Sequence, residues 1–346
     1  MGFAGSNSPV QIHSLADNIH SYRIMPEQKS EKFGEKPLGK FRGRLLFSIL
    51  AGLIVFIALS IYADVREVTQ AFAGFRWGYI PLILALTLLN YLLRFYKWDY
   101  YLRNIGIKLK VKDSLAIFLS GLTMSVTPAK LGEVFKSYLL KRLNGTEVSR
   151  SIPVVFAERI TDVLGLLILA AISFSVFQYG KEVLIGVLAF LLALIIVIQS
   201  PRICNKLLDV SRSIPLINKL SDSLRKTYET AYTLFRFRNL MVAIVISVIS
   251  WGFECFAMYF VLQAFGVSAS VLLSTFVFSF SSLVGAVSMV PGGLVVAEGS
   301  LAGLLILAGT SKGIAASATI IIRFCTLWFG VIVGFISLFL FRKKIA

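Results

Sequence analysis

Only two histidines, His13 and His20, occur in the 346 residues, and both sit in the polar N-terminal stretch. The apolar remainder has no imidazole for metal binding or for general acid and base work, which removes most hydrolase chemistry. Cysteine is nearly as scarce. Cys204, Cys255 and Cys325 fall in or beside apolar segments without metal-ligand spacing, so they read as small core residues and not as a disulfide framework. Charge is also sparse: 15% of residues are charged against 57% hydrophobic, and the mean hydropathy is +0.80. No polar stretch between the apolar runs is long enough to fold alone, so a soluble catalytic domain is not expected. No cofactor is implied.

What is present is a series of apolar runs long enough to meet lipid. Full spans are expected at Leu45–Tyr62, Tyr79–Trp98, Pro153–Gln178, Val183–Gln199, Met241–Phe265 and Ile314–Phe341. Residues 1–44 mix Ser, Lys, Glu, Pro and Gly and read as a disordered tail; 45–341 read as the membrane domain and 342–346 as a basic tail. The run Ser114–Thr127 has about 14 residues, too short for a 30 Å core at about 1.5 Å per residue. After Pro128, apolar positions 131, 134, 135, 138 and 139 lie opposite Glu133, Lys136 and Lys141, as in a helix returning to the surface. Asp113–Leu143 is therefore expected to be a re-entrant hairpin. Val271–Ala308, broken at Pro291-Gly292-Gly293, is expected to be a second. A basic, amphipathic stretch at 200–239 is expected to lie on the membrane surface.

The net charge of +17 reports orientation rather than nucleic-acid binding, because Lys and Arg are retained on the cytoplasmic side. With both hairpins returning to their side of entry, 28 of the 35 Lys and Arg fall inside, four outside and three within spans. Both termini are then cytoplasmic in a cell inner membrane. The units 79–178 and 240–341 share one order of elements, with Ser125-Val126-Thr127-Pro128 echoed by Ser288-Met289-Val290-Pro291 and an acid after each, Glu133 and Glu298. In this topology the two units are inverted, as in many secondary transporters. Expected fold class: all-α, with six spans and two re-entrant hairpins in an inverted repeat.

Eight ionisable residues fall within or at the edges of these segments: Arg94, Glu133, Glu158, Arg159, Asp162, Glu254, Glu298 and Arg323. At roughly 3 kcal/mol each, facing lipid would cost on the order of 20 kcal/mol, so they must face a cavity or one another. Glu158 and Asp162 share a helix face and need a cation such as Arg94, Arg323 or Lys130 opposite. Arginines suit an anionic headgroup because guanidinium grips phosphate oxygens in pairs. Ion pairs that fix helix packing are the structural alternative. Trp98 and Trp251 read as interface anchors, and Pro291-Gly292-Gly293 as a helix opening or a plain hinge.

Three ordered motifs, Pro128-Ala129-Lys130-Leu131-Gly132-Glu133, Glu158-Arg159-Ile160-Thr161-Asp162 and Pro291-Gly292-Gly293 with Glu298, resemble those of the lysylphosphatidylglycerol synthase transmembrane-region, or flippase-like, family. The resemblance runs from about Leu45 to Phe341. It implies a lipid-moving membrane part separate from any aminoacyl-transfer domain, and it marks Lys130, Gly132, Glu133, Glu158, Arg159, Asp162, Pro291, Gly292, Gly293 and Glu298 as site residues. To these the charge reading adds Arg94, Glu254 and Arg323. An arginine that often precedes the second glutamate in that family is replaced here by Ala297. The expected partner is an anionic phospholipid or lipid-linked intermediate, without enzymatic turnover by this chain. The rival is a non-transporting subunit that scaffolds a membrane glycosyltransferase or lipid-modifying enzyme.

Overall fold

A computed structural model describes residues 50, 52–127, 132–174, 180–202, 204 and 221–345. The chain is all-helical, with no strand among the described residues. The helices are α1 (Gly52–Tyr62), α2 (Val65–Gly74), α3 (Ile80–Asn104), α4 (Val111–Leu122), α5 (Phe135–Asn144), α6 (Val148–Ser173), α7 (Lys181–Gln199), α8 (Ser221–Leu234), α9 (Phe237–Ala264), α10 (Val271–Val287), α11 (Val296–Leu307), α12 (Lys312–Arg323) and α13 (Phe329–Ile345). A π-helical segment, Phe324–Trp328, joins the last two.

Among the described residues, four stretches are long and apolar enough to cross a membrane: Trp77–Asn104, α7, α9 and Lys312–Arg342. The protein is an integral, multi-pass membrane protein. The first expected span lies partly outside the described residues and is represented by α1. The third is α6, whose 26 residues reach about 39 Å but carry Glu158, Arg159 and Asp162. It starts at Val148, earlier than expected, because Pro153 sits inside the helix and removes one bond instead of marking its start. The polar segment between the first two spans forms an unanticipated helix, α2. Its N-terminus is capped by Asp64, whose Oδ1 accepts from the Arg66 amide at 2.8 Å. The Glu67 carboxylate on α2 accepts the Gly313 amide at 3.2 Å, tying α2 to the start of α12.

The second interrupted segment breaks at its proline, and the first breaks ahead of Pro128. In the first, α4 ends at Leu122, turns run to Thr127, and helix resumes at 132, with Pro128 and Lys130 outside the described residues. In the second, α10 and α11 flank a 3-10 turn at Pro291–Gly293. Gly292 and Gly293 both adopt positive φ, 61° and 67°, which favours glycine at this tight turn. A Cβ on Gly293 would also come within 3.2 Å of the Gly285 backbone on α10.

The two runs of elements, α3 to α6 and α9 to α13, repeat in detail. The first helix of each ends on a left-handed glycine, Gly106 or Gly266, followed by the same crossed bonds: the Ile107 amide to Leu102 O at 2.9 Å, and the Val267 amide to Leu262 O at 3.0 Å. Helices α3 and α9 pack antiparallel. The Arg76 amide donates to Ala264 O at 3.1 Å, Asn90 Nδ2 to Ser250 O at 2.8 Å and the Tyr100 hydroxyl to Asn239 Oδ1 at 2.9 Å, so numbering rises along one helix as it falls along the other. Each half lends its interrupted segment to the other: α4 packs on α13, and α10 packs on α6. An extensive apolar core lies among α3, α6, α9, α10, α11 and α12.

Candidate functional site

Charged side chains of α3, α5 and α6 meet in the interior. Lys97 on α3 is fully buried; its Nζ donates to Asp162 Oδ1 on α6 at 2.5 Å and to Ser247 Oγ on α9 at 2.7 Å. Lys136 on α5, also buried, donates to Glu158 Oε2 at 2.6 Å, lies 3.5 Å from Glu133, and sits 4.6 Å from the centre of the Trp98 ring. Burying such charges is tolerable only because each lysine meets a carboxylate and further acceptors or an aromatic face.

Beside this network lies a cavity of about 150 Å³ between the two halves, lined by residues including Arg94, Arg159, Asp162, Glu254 and Arg323, with Tyr91 and Trp251. Its three arginines differ in how fully they are engaged. Arg323 donates from Nε to Glu298 Oε1 at 2.6 Å and from Nη2 to Gly292 O at 2.7 Å. Arg159 Nη2 lies 3.1 Å from Glu133 and 3.2 Å from Asp162. Arg94 is 5% exposed and lies 3.6 Å from Asp162 Oδ2 and 5.6 Å from the centre of the Trp251 ring. Its Nε has no hydrogen-bond partner among the described residues.

Of the residues singled out from sequence, Arg94, Arg159, Asp162, Glu254, Gly292, Gly293 and Arg323 line the cavity. Glu133 and Glu298 stand behind it as partners of Arg159 and Arg323, and Pro291 opens the turn that carries the two glycines. Glu158 does not line the cavity and is not near the surface; it is fully buried against Lys136. The Gly132 amide donates to Thr127 Oγ1 at 2.8 Å, closing the first turn. Lys130 lies outside the described residues. The cations opposite Glu158 and Asp162 are Lys136 for the first, and Lys97, Arg94 and Arg159 for the second; Arg323 serves Glu298 instead.

Lys97 and Lys136 are the residues that reading the sequence misses. Both look like interface lysines, one at the end of a span and one on the polar face of a short amphipathic helix. The available signal was spacing, since Lys97 follows Arg94 by three positions and so shares its helix face toward Asp162. The two tryptophans are not interface anchors: Trp98 is fully buried and Trp251 nearly so. Their places in the repeat also differ, because the register set by Gly106 and Gly266 aligns Trp251 with Tyr91. Moving Lys97 and Lys136 from the inside count to the interior leaves 26 inside against four outside, so the charge bias survives.

Residues 49–334 match the lysylphosphatidylglycerol synthase transmembrane region. Curated relatives with similar sequences are archaeal. A UPF0104 membrane protein of Methanothermobacter thermautotrophicus is 26% identical over 82% of this chain and 90% of its own length, and a second from that organism is 24% identical over 84% and 92%. A UPF0104 membrane protein of Methanocaldococcus jannaschii is 28% identical over 64% of this chain and 94% of its own. With a match across most of its length, and with all three motifs falling inside it, the chain belongs to the lysylphosphatidylglycerol synthase transmembrane-region family.

Proposed function

We propose that the protein moves a phospholipid or lipid-linked intermediate across the bilayer by holding its anionic headgroup in the cavity between the halves. The observation that carries this reading is Arg94: a buried guanidinium on the cavity wall, with no partner for Nε among the described residues and its nearest carboxylate at 3.6 Å. Leaving such a donor unmet is costly, and a phosphate group meets it directly. The cavity is small compared with pockets that enclose whole drug-sized ligands, so it suits a headgroup fragment whose acyl chains stay in lipid. In this reading the chain is a carrier and makes or breaks no covalent bond.

The same reading assigns the membrane topology. Segments α4–α5 and α10–α11 are re-entrant hairpins entering from opposite faces, the halves form an inverted repeat, and both termini face the cytoplasm of a cell inner membrane. The antiparallel pairing of α3 with α9 and the 26-to-four charge bias support it. Cysteines at Lys181 or Lys312 should react with an impermeant thiol reagent in intact spheroplasts, and one at Asp222 should not. Labelling at Asp222 alone would overturn the orientation.

The function is tested with purified protein in liposomes carrying fluorescent phosphatidylglycerol, where an impermeant quencher reports the lipid reaching the outer leaflet. Wild-type protein should raise the rate above that of empty liposomes, and Arg94→Gln should cut it on the order of 10- to 100-fold, the worth of a charge-assisted bond. Rates equal to those of empty liposomes across lipid classes would favour the scaffold role.

A further inference from the structure

The two halves carry one ion pair in equivalent places, Glu133 with Arg159 and Glu298 with Arg323, yet the pairs are made differently. Arg323 is committed to the Glu298 carboxylate and the Gly292 carbonyl. Arg159 is divided, with Nη2 3.1 Å from Glu133 and 3.2 Å from Asp162, and neither its Nε nor its Nη2 completes a hydrogen bond among the described residues. The difference traces to one position. Three residues after Arg159 stands Asp162, whereas three after Arg323 stands Thr326, an uncharged residue whose hydroxyl turns back to Ile322 O at 2.7 Å. Arg323 thus shows what the arginine does when no second acid competes for it.

The Asp162 carboxylate is itself divided. Oδ1 is anchored by Lys97, while Oδ2 makes no hydrogen bond among the described residues and faces the guanidinium groups of Arg94 at 3.6 Å and Arg159 at 3.2 Å. All three side chains line the cavity. Two guanidinium groups converging on one weakly held oxygen offer the geometry that a phosphate oxygen would take.

We propose that Asp162 is a built-in stand-in for the ligand: it occupies the receptor formed by Arg94 and Arg159 when the cavity is empty, and a phosphate-class anion displaces it onto Lys97. This rests on the reading that the cavity takes an anion. Self-competition of this kind weakens binding at rest and eases release, as a carrier requires. Arg323, already satisfied, is a latch on the Pro-Gly-Gly turn and does not contact the headgroup.

The proposal makes a counterintuitive demand on binding. Asp162→Asn retains an oxygen for Lys97 but removes the competing charge, so it should bind short-chain phosphatidylglycerol on the order of tenfold more tightly than wild type, measured by titration calorimetry in detergent. Arg94→Gln should weaken binding by a similar factor, and Glu147→Gln, in an exposed pair away from the cavity, should leave the affinity unchanged. If Asp162→Asn is poorly folded, Asp162→Thr combined with Lys97→Met removes both charges, as Thr326 and Ala257 do in the second half, and should show the same gain. Affinity unchanged or reduced in whichever of these two variants is folded would overturn the stand-in role, because a carboxylate that competes for the receptor must free it when its charge is removed. Binding by neither wild type nor these variants would overturn it as well. Lipid movement in liposomes is scored separately, so translocation without this anion receptor, or the receptor without translocation, would each be recognised. Inorganic phosphate as a second titrant shows whether the receptor reads the phosphate alone or requires glycerol and acyl groups.

Discussion

Two groups of buried charge lie a few residues apart on the same helices and behave differently. Around Lys136 and Glu158 the charges meet their counterparts at close range, and neither residue lines the cavity. Around Arg94 the charges face a cavity, and the fit is loose. A buried charge in a membrane protein is therefore not in itself a binding group. What separates scaffold from site is whether the protein already satisfies the charge.

That contrast is best broken by removing one charge from each group. Lys136→Met should have the largest effect on stability, about 3–5 kcal/mol, because it strands fully buried Glu158. Thermal unfolding in detergent should show the loss, and adding Glu158→Gln should restore most of it. Failure of the double variant to recover would place the cost in packing against Trp98 instead. Arg323→Lys should cost less, about 1.5–3 kcal/mol, since an ammonium cannot span both Glu298 and the Gly292 carbonyl. Hydrogen exchange should rise in residues 291–307, and wild-type protection there would remove the latch role.

Arg94→Gln should cost less stability than either, because Asp162 keeps Lys97 and Arg159, while lipid movement falls steeply. Equal loss of melting temperature and transport would move Arg94 into the scaffold group. The smallest effect is expected at the surface. The Lys226 ammonium holds the exposed Glu147 carboxyl below its ordinary range, so any contribution is present at neutral pH and lost on acidification below about pH 4.5. Glu147→Gln should leave the melting temperature unchanged at pH 7.

Much of this arrangement is legible in the sequence, for identifiable reasons. Hydropathy locates the long helices because lipid exposure leaves a one-dimensional record, and Pro291 marks the second interruption because proline acts on its own backbone. The charge residues Arg94, Arg159, Asp162 and Arg323 are conspicuous because lipid forbids them without a partner. Partner choice is another matter. Lys97 and Lys136 have long stems whose charged ends can point either to water or inward, and only the placement of α6 decides between the two. Trp98 is misread for the same reason: an indole at the end of a span suits an interface as well as a packed ion network. The α2 helix escapes notice because ten residues of mixed polarity gain their order from Glu67 on Gly313, a contact 246 positions away.

In the proposed topology, one plain element sets how the halves face each other. Helix α7 buries little beyond Leu184 and Leu191 and has no charged residue from Val183 to Gln199. It contributes parity. With two returning hairpins, α3 and α6 bring the chain back to its starting face, and one further crossing is needed before α9 can run opposite to α3. Without α7 the second half would insert in the same sense as the first, Asn90 could not meet Ser250 across the centre, and the basic segment before α9 would be stranded on the wrong side. In that topology a helix with almost no chemistry of its own makes the two halves inverted and not tandem copies.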